Sequence, residues 1–321
     1  EIYYSEFLEN CKNFDKDLSK DLDTKHSKII LESHNKVKTD KDKFIQNFKD
    51  WELQSDFSSP IQFSLDHFKI LKKKQLFKNF FKLILFLEDS DFKRSFFDDF
   101  HILETVGAIN LLKNNPVHKT PGCTNFYKIK GCSTNYRWNR YAYIANQIIK
   151  KKLIDHDDIY IDIGSYYGGL QSFLYNNLKD VKYFLVDFNH QLLRSYIFLK
   201  TLFPDANHFL PDKIDYNENF EKSKNGFYYV SIDDFFKMKN IKPNLISNFF
   251  SLGEMTDNYF NNYFNSEIFL KSKYHYFINR FVSAPFFEKT YENSKIFLIM
   301  YQEMILKGFI LIFFLFIIIK Y

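Results

Sequence analysis

"IYIDIGSYYGG", residues 159–169, decides the fold. Ile159, Ile161 and Ile163 alternate with Tyr160 and Asp162, and then Gly164 ends the run. Alternation with period two is the signature of a β-strand. Gly164, Gly168 and Gly169 place three of the chain's nine glycines within six positions. Glycine is the residue of tight turns and of close backbone approach. Beyond the turn, "LQSFLYNNLKD" (170–180) sets Leu170, Phe173, Leu174 and Leu178 on one helical face. The unit therefore reads strand, glycine turn, helix.

The same rhythm continues outward. "VKYFLVDF" (181–188), "GFYYVS" (226–231), "NLISNFFS" (244–251) and "YHYFINR" (274–280) read as strands. Helices are expected at 190–204, stopped by Pro204, around Asp233–Lys239, and at 291–308 with Gly308 as the stop. Strands alternating with helices imply an α/β domain with a doubly wound, mostly parallel, Rossmann-like sheet over 151–321. Residues 1–150 read as an N-terminal helical region. Within it, 1–50 lack Pro and Gly and read as exposed helix or partly disordered tail. In 68–88, Lys74, Lys78 and Lys82 share one face and Phe77, Phe80, Ile84 and Leu87 another, as in a core helix with a solvated lysine face. Helices are expected over 96–113 and 135–152, on either side of a loop holding Pro116, Pro121, Gly122 and Gly131.

Composition narrows the function classes. Of 321 residues, 20% are aromatic, including 40 Phe and 22 Tyr, and this bias runs through every segment. It reads as base composition of the coding sequence, so aromatics and lysines do not argue for nucleic-acid binding. The net charge of +5 comes from 44 basic and 39 acidic residues without a clustered basic face. Cys11, Cys123 and Cys132 form no CxxC, which speaks against a disulfide framework or structural zinc and fits a reducing cytoplasm. Asp233 and Asp234 fit a helix start better than a metal, and no metal is expected. The terminal run "GFILIFFLFIIIKY" (308–321) has eleven apolar residues after Gly308, short of the ~20 needed to span a bilayer. It reads as a buried strand over 309–319, and membrane attachment is not expected.

In a doubly wound sheet the ligand lies at the carboxyl ends of the strands, beside the point where strand order reverses. The turn at Gly164, Ser165 and Gly168 is the expected contact, with its N–H groups facing the ligand. Eighteen residues beyond Gly169, Asp187 ends the second strand, where a carboxylate accepts hydrogen bonds from a ribose. This pairing serves dinucleotides and S-adenosylmethionine (SAM). Tyr166 breaks GxGxxG, and Asp162, two residues before Gly164, suits a cationic amino-acid ligand and repels a pyrophosphate. These details favour SAM.

"IYIDIGSYYGGLQSFL…YFLVDF" resembles motif I and the following acidic strand end of class I SAM-dependent methyltransferases. "NLISNFFSLGEM" (244–255), followed by "YHYFINR", resembles the narrower family of sugar O-methyltransferases through Asn248, Ser251, Glu254, Met255, Asn279 and Arg280. "STNYRWNRYAYI" (133–144), with Arg140, is similar to the aromatic-basic helix that precedes motif I in that family. The resemblance spans roughly 100–290 and implies a cytoplasmic SAM-dependent O-methyltransferase. Its substrate would be a sugar hydroxyl in a nucleotide-sugar or surface-glycan precursor.

Methyl transfer is an in-line displacement that needs a positioned hydroxyl and a proton acceptor. Glu254, His275 and Asn248 are the catalytic candidates. Arg280, Asn279 and Arg140 are the substrate-binding candidates, and Asp162, Gly164, Ser165, Gly168 and Asp187 form the cofactor set. Competing readings are an NAD-dependent oxidoreductase, opposed by Tyr166, and a non-catalytic SAM-fold partner protein. RNA methylation lacks the basic face it needs.

Overall fold

The computed structural model describes residues 1–15, 24–39, 41–42, 44, 100–121, 126–249, 251–252, 255, 257–280 and 301–307. These fall into two compact units, Glu1–Phe44 with Ile148–Tyr321, and Ile45–Gln147. The described residues up to Phe44 thus fall in the unit that holds the sheet. The chain opens with α1 (Ile2–Glu9) and α2 (Thr24–Thr39). Tyr4, Phe7, Cys11 and Phe14 recur three to four apart and are buried. Phe7 meets Tyr196 and Tyr229 of the sheet unit. Residues 1–15 are therefore packed, where an exposed helix or a partly disordered tail was expected.

In the second unit, residues 100–105 are helical and α3 spans Ile109–Asn114. Gly107 lies between them at φ +73°, so the helix expected over 96–113 is broken there. A hairpin of β1 (Tyr127–Ile129) and β2 (Cys132–Thr134) leads into α4 (Tyr136–Lys150). This hairpin lies in the segment read as a loop between two helices.

The main sheet comprises β3 (Ile159–Ile163), β4 (Lys182–Asp187), β5 (His208–Phe209), β6 (Gly226–Ser231), β7 (Leu245–Phe249), β8 (Tyr274–Arg280) and β9 (Tyr301–Lys307). Its order is β5-β6-β4-β3-β7-β8-β9, with β5 to β8 parallel and β9 antiparallel to β8. The chain moves from β3 to β4, forms the edge strand β5, returns to place β6 between β5 and β4, and then crosses to β7 on the other side of β3. The carboxyl ends of β3 and β7 therefore flank the switch point.

Strand period two divides β3 between the faces. Ile159, Ile161 and Ile163 join Phe184, Val186, Tyr228, Val230 and Ile246 under α7 (Ile232–Phe235), α8 (Asp257–Phe264) and α9 (Glu267–Lys271). Tyr160 and Asp162 face the other way, toward α5 (Gly169–Tyr175) and α6 (Asn189–Leu202). Burial on both faces is what a doubly wound parallel sheet demands, and every residue of β3 and β4 is buried.

Residues 301–307 form a strand, not the end of a helix over 291–308. Apolar periodicity alone does not separate the two. The open edge of β8 supplies backbone partners along its whole length, from Tyr274 opposite Lys307 to Arg280 opposite Tyr301. The expected strand at 309–319 and the helix at 68–88 lie outside the described residues. Among the described residues, no helix is long and apolar enough to cross a membrane.

Candidate functional site

The glycine turn after β3 is held mainly by the protein itself. Gly164, Tyr166 and Gly168 take φ of +77°, +54° and +81°. Tyr166 thus adopts a left-handed conformation at the position where GxGxxG has its second glycine. The Gly164 N–H donates to Val186 O (2.8 Å), and the Gly168 N–H donates to Ser165 O (3.2 Å). Tyr166 is clamped at both backbone groups. Its N–H donates to Asp187 Oδ2 (2.8 Å), and its carbonyl accepts from Ser195 Oγ (2.5 Å).

The expectation that these N–H groups face a ligand is corrected at Gly164, Tyr166 and Gly168, because each already has a protein acceptor. The reason for glycine is corrected as well. A Cβ on Gly164 would lie 2.2 Å from Ser251 Oγ, and one on Gly168 would lie 2.8 Å from Leu199 Cδ1. Both glycines are required by a positive φ and by the packing of β7 and α6 onto the turn.

Asn248 is fully buried and ties β7 to this turn. Its Nδ2 donates to Ile163 O (2.6 Å) and to Ser251 Oγ, and its Oδ1 accepts from the Leu252 N–H (2.9 Å). Its place is in the scaffold, not among groups that touch a reacting hydroxyl. His275 is likewise corrected. It is the second residue of β8, at the end away from the turn, and stacks on Phe269 with centroids 4.3 Å apart. Its Nε2 lies 3.0 Å from Phe269 O, and burial lowers its pKa. His275 is a core histidine.

Asn279 and Arg280 end β8 on the carboxyl side of the sheet, as expected. Their side chains lie outside the described residues, as does Glu254. Arg140 stands on α4 in the second unit. Ser231 caps α7, its Oγ accepting the Asp234 N–H, and the Asp234 carboxylate in the first turn accepts from Ser231 Oγ and from Lys237.

Two acids remain at the switch point. Asp162 is 3% exposed and accepts from Ser247 Oγ (2.5 Å) and Gln171 Nε2 (2.6 Å). The Tyr160 hydroxyl lies 2.7 Å from Ser247 Oγ and completes a buried chain. Asp187, at 9% exposure, accepts the N–H groups of Tyr166 and Phe188. Neither carboxyl forms an ion pair among the described residues. Burial pushes both up to about 7, against the lowering effect of their hydrogen bonds. No protein-family model matches the sequence, and no curated protein is significantly similar to it.

Three contributors were missed from sequence. Ser247 stands opposite Asp162 in the β3–β7 register, which is visible only once the strands are paired. Gln171 follows the turn by one helical step. Its Oε1 and Ser165 Oγ are buried without a hydrogen-bond partner.

The third is the N-terminal segment. Asn189 Nδ2 donates to Asn13 O (3.0 Å), and the Lys12 N–H donates to Asp212 Oδ2 (2.8 Å). Phe14 stacks on His34, which meets His190 edge-on at 5.9 Å. Residues 10–15 therefore lie along the start of α6, beside the carboxyl end of β4. The three- to four-residue spacing of Tyr4, Phe7, Cys11 and Phe14 was the available signal. By contrast, a cavity of about 550 Å³ lined by Met238, Lys239, Ser266 and Glu267 sits by the residues that lead into β7 and β8, at the amino ends of these strands.

Proposed function

We propose that the chain is a SAM-dependent O-methyltransferase acting on a sugar hydroxyl. The observation that carries the cofactor class is the pair Asp162 and Asp187, buried at the switch point without an ion-pair partner among the described residues. A pyrophosphate placed there would be repelled by Asp162, and three turn N–H groups that would greet it are already engaged. A ligand bearing a sulfonium and an ammonium group offers the charge that the site lacks. Asp187 ends β4, where a ribose at the switch point would lie, and its two oxygens retain acceptor capacity. The sugar class rests on the resemblance of 244–255 and 274–280, with Glu254 as the base and Arg280 holding the sugar or its phosphate. Arg suits phosphate because its planar fork binds two oxygens.

Titration calorimetry with SAM, S-adenosylhomocysteine and NAD tests the cofactor class. SAM and its product bind, and Asp187→Ala weakens them by about 1.5–3 kcal/mol as charged hydrogen bonds are lost. NAD binding without SAM binding refutes the proposal. Glu254→Gln then leaves SAM affinity intact and lowers turnover by about 10²-fold.

A second reading, a non-catalytic SAM-fold protein, is favoured by one observation. Ser251 packs so closely on Gly164 that the turn is closed from the β7 side. Failure of all three ligands to bind would select it.

A further inference from the structure

Resting on the methyltransferase reading for its ligand, we infer that residues 10–15 are a strap across the carboxyl ends of β4, β5 and β6, which opens to admit the ligand and is held shut by it. The strap meets the chain just past each of these strands. Asn189, two residues past β4, donates from Nδ2 to Asn13 O (3.0 Å) and Phe14 O (3.4 Å). Asp212, three residues past β5, grips the strap twice. Its N–H donates to Asn10 O (3.0 Å), and its Oδ2 accepts from the Lys12 N–H (2.8 Å). Past β6, the charge of Asp234 reaches the buried Cys11 thiol. The three strands are parallel, so these ends share one edge of the sheet. A doubly wound sheet presents its ligand at that edge, and Asp187 lies two residues from the Asn189 contact.

The independent observation is a group of polar atoms that the closed strap leaves unsatisfied. Asn189 Oδ1, His190 Nδ1 and His34 Nδ1 have no hydrogen-bond partner, and each residue is more than nine-tenths buried. All three are tied to the strap. Asn189 holds it through its other amide atom. His34 stacks on Phe14 at 4.9 Å, with Nε2 lying 2.9 Å from Asp15 Oδ1, and His190 meets His34 edge-on at 5.9 Å. A carboxylate only accepts, so His34 Nε2 carries the proton and Nδ1 of the neutral ring is an acceptor. Buried polar atoms without partners favour whichever state supplies them. Opening supplies water, and closure over a ligand supplies the polar groups of the ligand. The strap is thereby balanced between those two states.

Its fastenings are also light. Between residues 11 and 15 only Cys11 and Phe14 are buried, while Lys12, Asn13, Asp15 and the gripping Asp212 are exposed. The helix before it is firmly anchored, because Phe7 of α1 is fully buried against Tyr196 and Tyr229. Exposed backbone hydrogen bonds with little apolar burial open locally, well below the cost of global unfolding.

Amide hydrogen exchange of the wild-type protein, read residue by residue by NMR, tests the strap. In the free protein the Lys12 and Asp212 amides should exchange at least about 10²-fold faster than those of Leu185 and Val186 in β4. S-adenosylhomocysteine at about ten times its dissociation constant should slow Lys12 and Asp212 about tenfold, because an opening that releases the ligand is suppressed by mass action. A local opening that leaves the ligand bound is not slowed. The Lys273 N–H, which donates to Pro243 O at the amino ends of the strands, is that control. Asp212→Ala removes the acceptor of the Lys12 N–H and should speed both Lys12 exchange and S-adenosylhomocysteine release at least about tenfold. Asp212→Asn keeps an oxygen there and should lie closer to the parent than to the alanine variant.

Binding of S-adenosylhomocysteine without slowing of Lys12 and Asp212 overturns the inference and leaves the methyltransferase reading standing. Slowing of Lys273 by the same factor also overturns it, since that marks global unfolding. Failure of SAM and S-adenosylhomocysteine to bind overturns the methyltransferase reading. The strap is then decided in the free protein, where exchange of Lys12 and Asp212 no faster than that of Val186 overturns it. The wild-type measurements need no variant to fold.

Discussion

Gly164→Ala asks whether the turn is shaped by the protein or by a ligand. Two costs add. Placing an L-residue at φ +77° costs about 1–2 kcal/mol. The new methyl group would also lie 2.2 Å from Ser251 Oγ and 2.8 Å from Ser251 Cβ. Relieving such overpacking typically costs a further ~1–3 kcal/mol. The substitution should therefore destabilise the apo protein by roughly 2–5 kcal/mol, with the m-value unchanged.

The two parts are separated by repeating Gly164→Ala in a Ser251→Gly background. Ser251→Gly has its own cost, about 1 kcal/mol for the lost hydrogen bond to Asn248. It also removes both atoms the alanine would strike. The backbone strain then remains and the clash disappears, so the coupling energy should be about 1–3 kcal/mol and favourable. Urea denaturation of the four proteins measures it. If the two substitutions prove additive, Ser251 does not close the turn. The glycine would then have to be explained by something other than β7.

Tyr166 offers a second test of the same turn. Tyr166→Gly should lie within about 1 kcal/mol of the parent, because relief at φ +54° offsets the lost edge contact with Tyr167. Tyr166→Val should be clearly less stable in thermal melts, since β-branching is a severe misfit at positive φ. Phe7→Ala should cost about 3–5 kcal/mol by urea denaturation, as Phe7 is fully buried against Tyr196 and Tyr229; a neutral result would return residues 1–15 to a loose tail. Asp162 carries a folded-state pKa of about 7, above its unfolded value. The folded state therefore binds the extra proton between about pH 4 and 7, and that contribution to stability is lost as pH rises through 7. The stability of Asp162→Asn relative to the parent should accordingly improve from pH 5 to pH 8, and a constant difference would mean that Asp162 is not the buried acid described.

The sequence by itself determined the alternation of strand and helix, the position of the glycine turn and the acid that ends β4. Those features are local. Strand period, helix period and glycine's access to positive φ act within a few residues, so "IYIDIG" and "YFLVDF" declare themselves without knowledge of their neighbours. Tertiary structure decided what those residues do. Asn248 and Ser251 proved to brace Gly164 because β7 pairs beside β3, a contact 85 residues apart in sequence. His275 went to the core because β8 begins at the end of the sheet remote from the turn. Residues 301–307 became a strand because β8 offered an open edge, which outweighs a local helical pattern. Asp162 lost its access to water because Ser247 and Gln171 come from two other elements to enclose it. Its charge state is thus set by desolvation, a property of the assembled neighbourhood that no stretch of sequence carries alone.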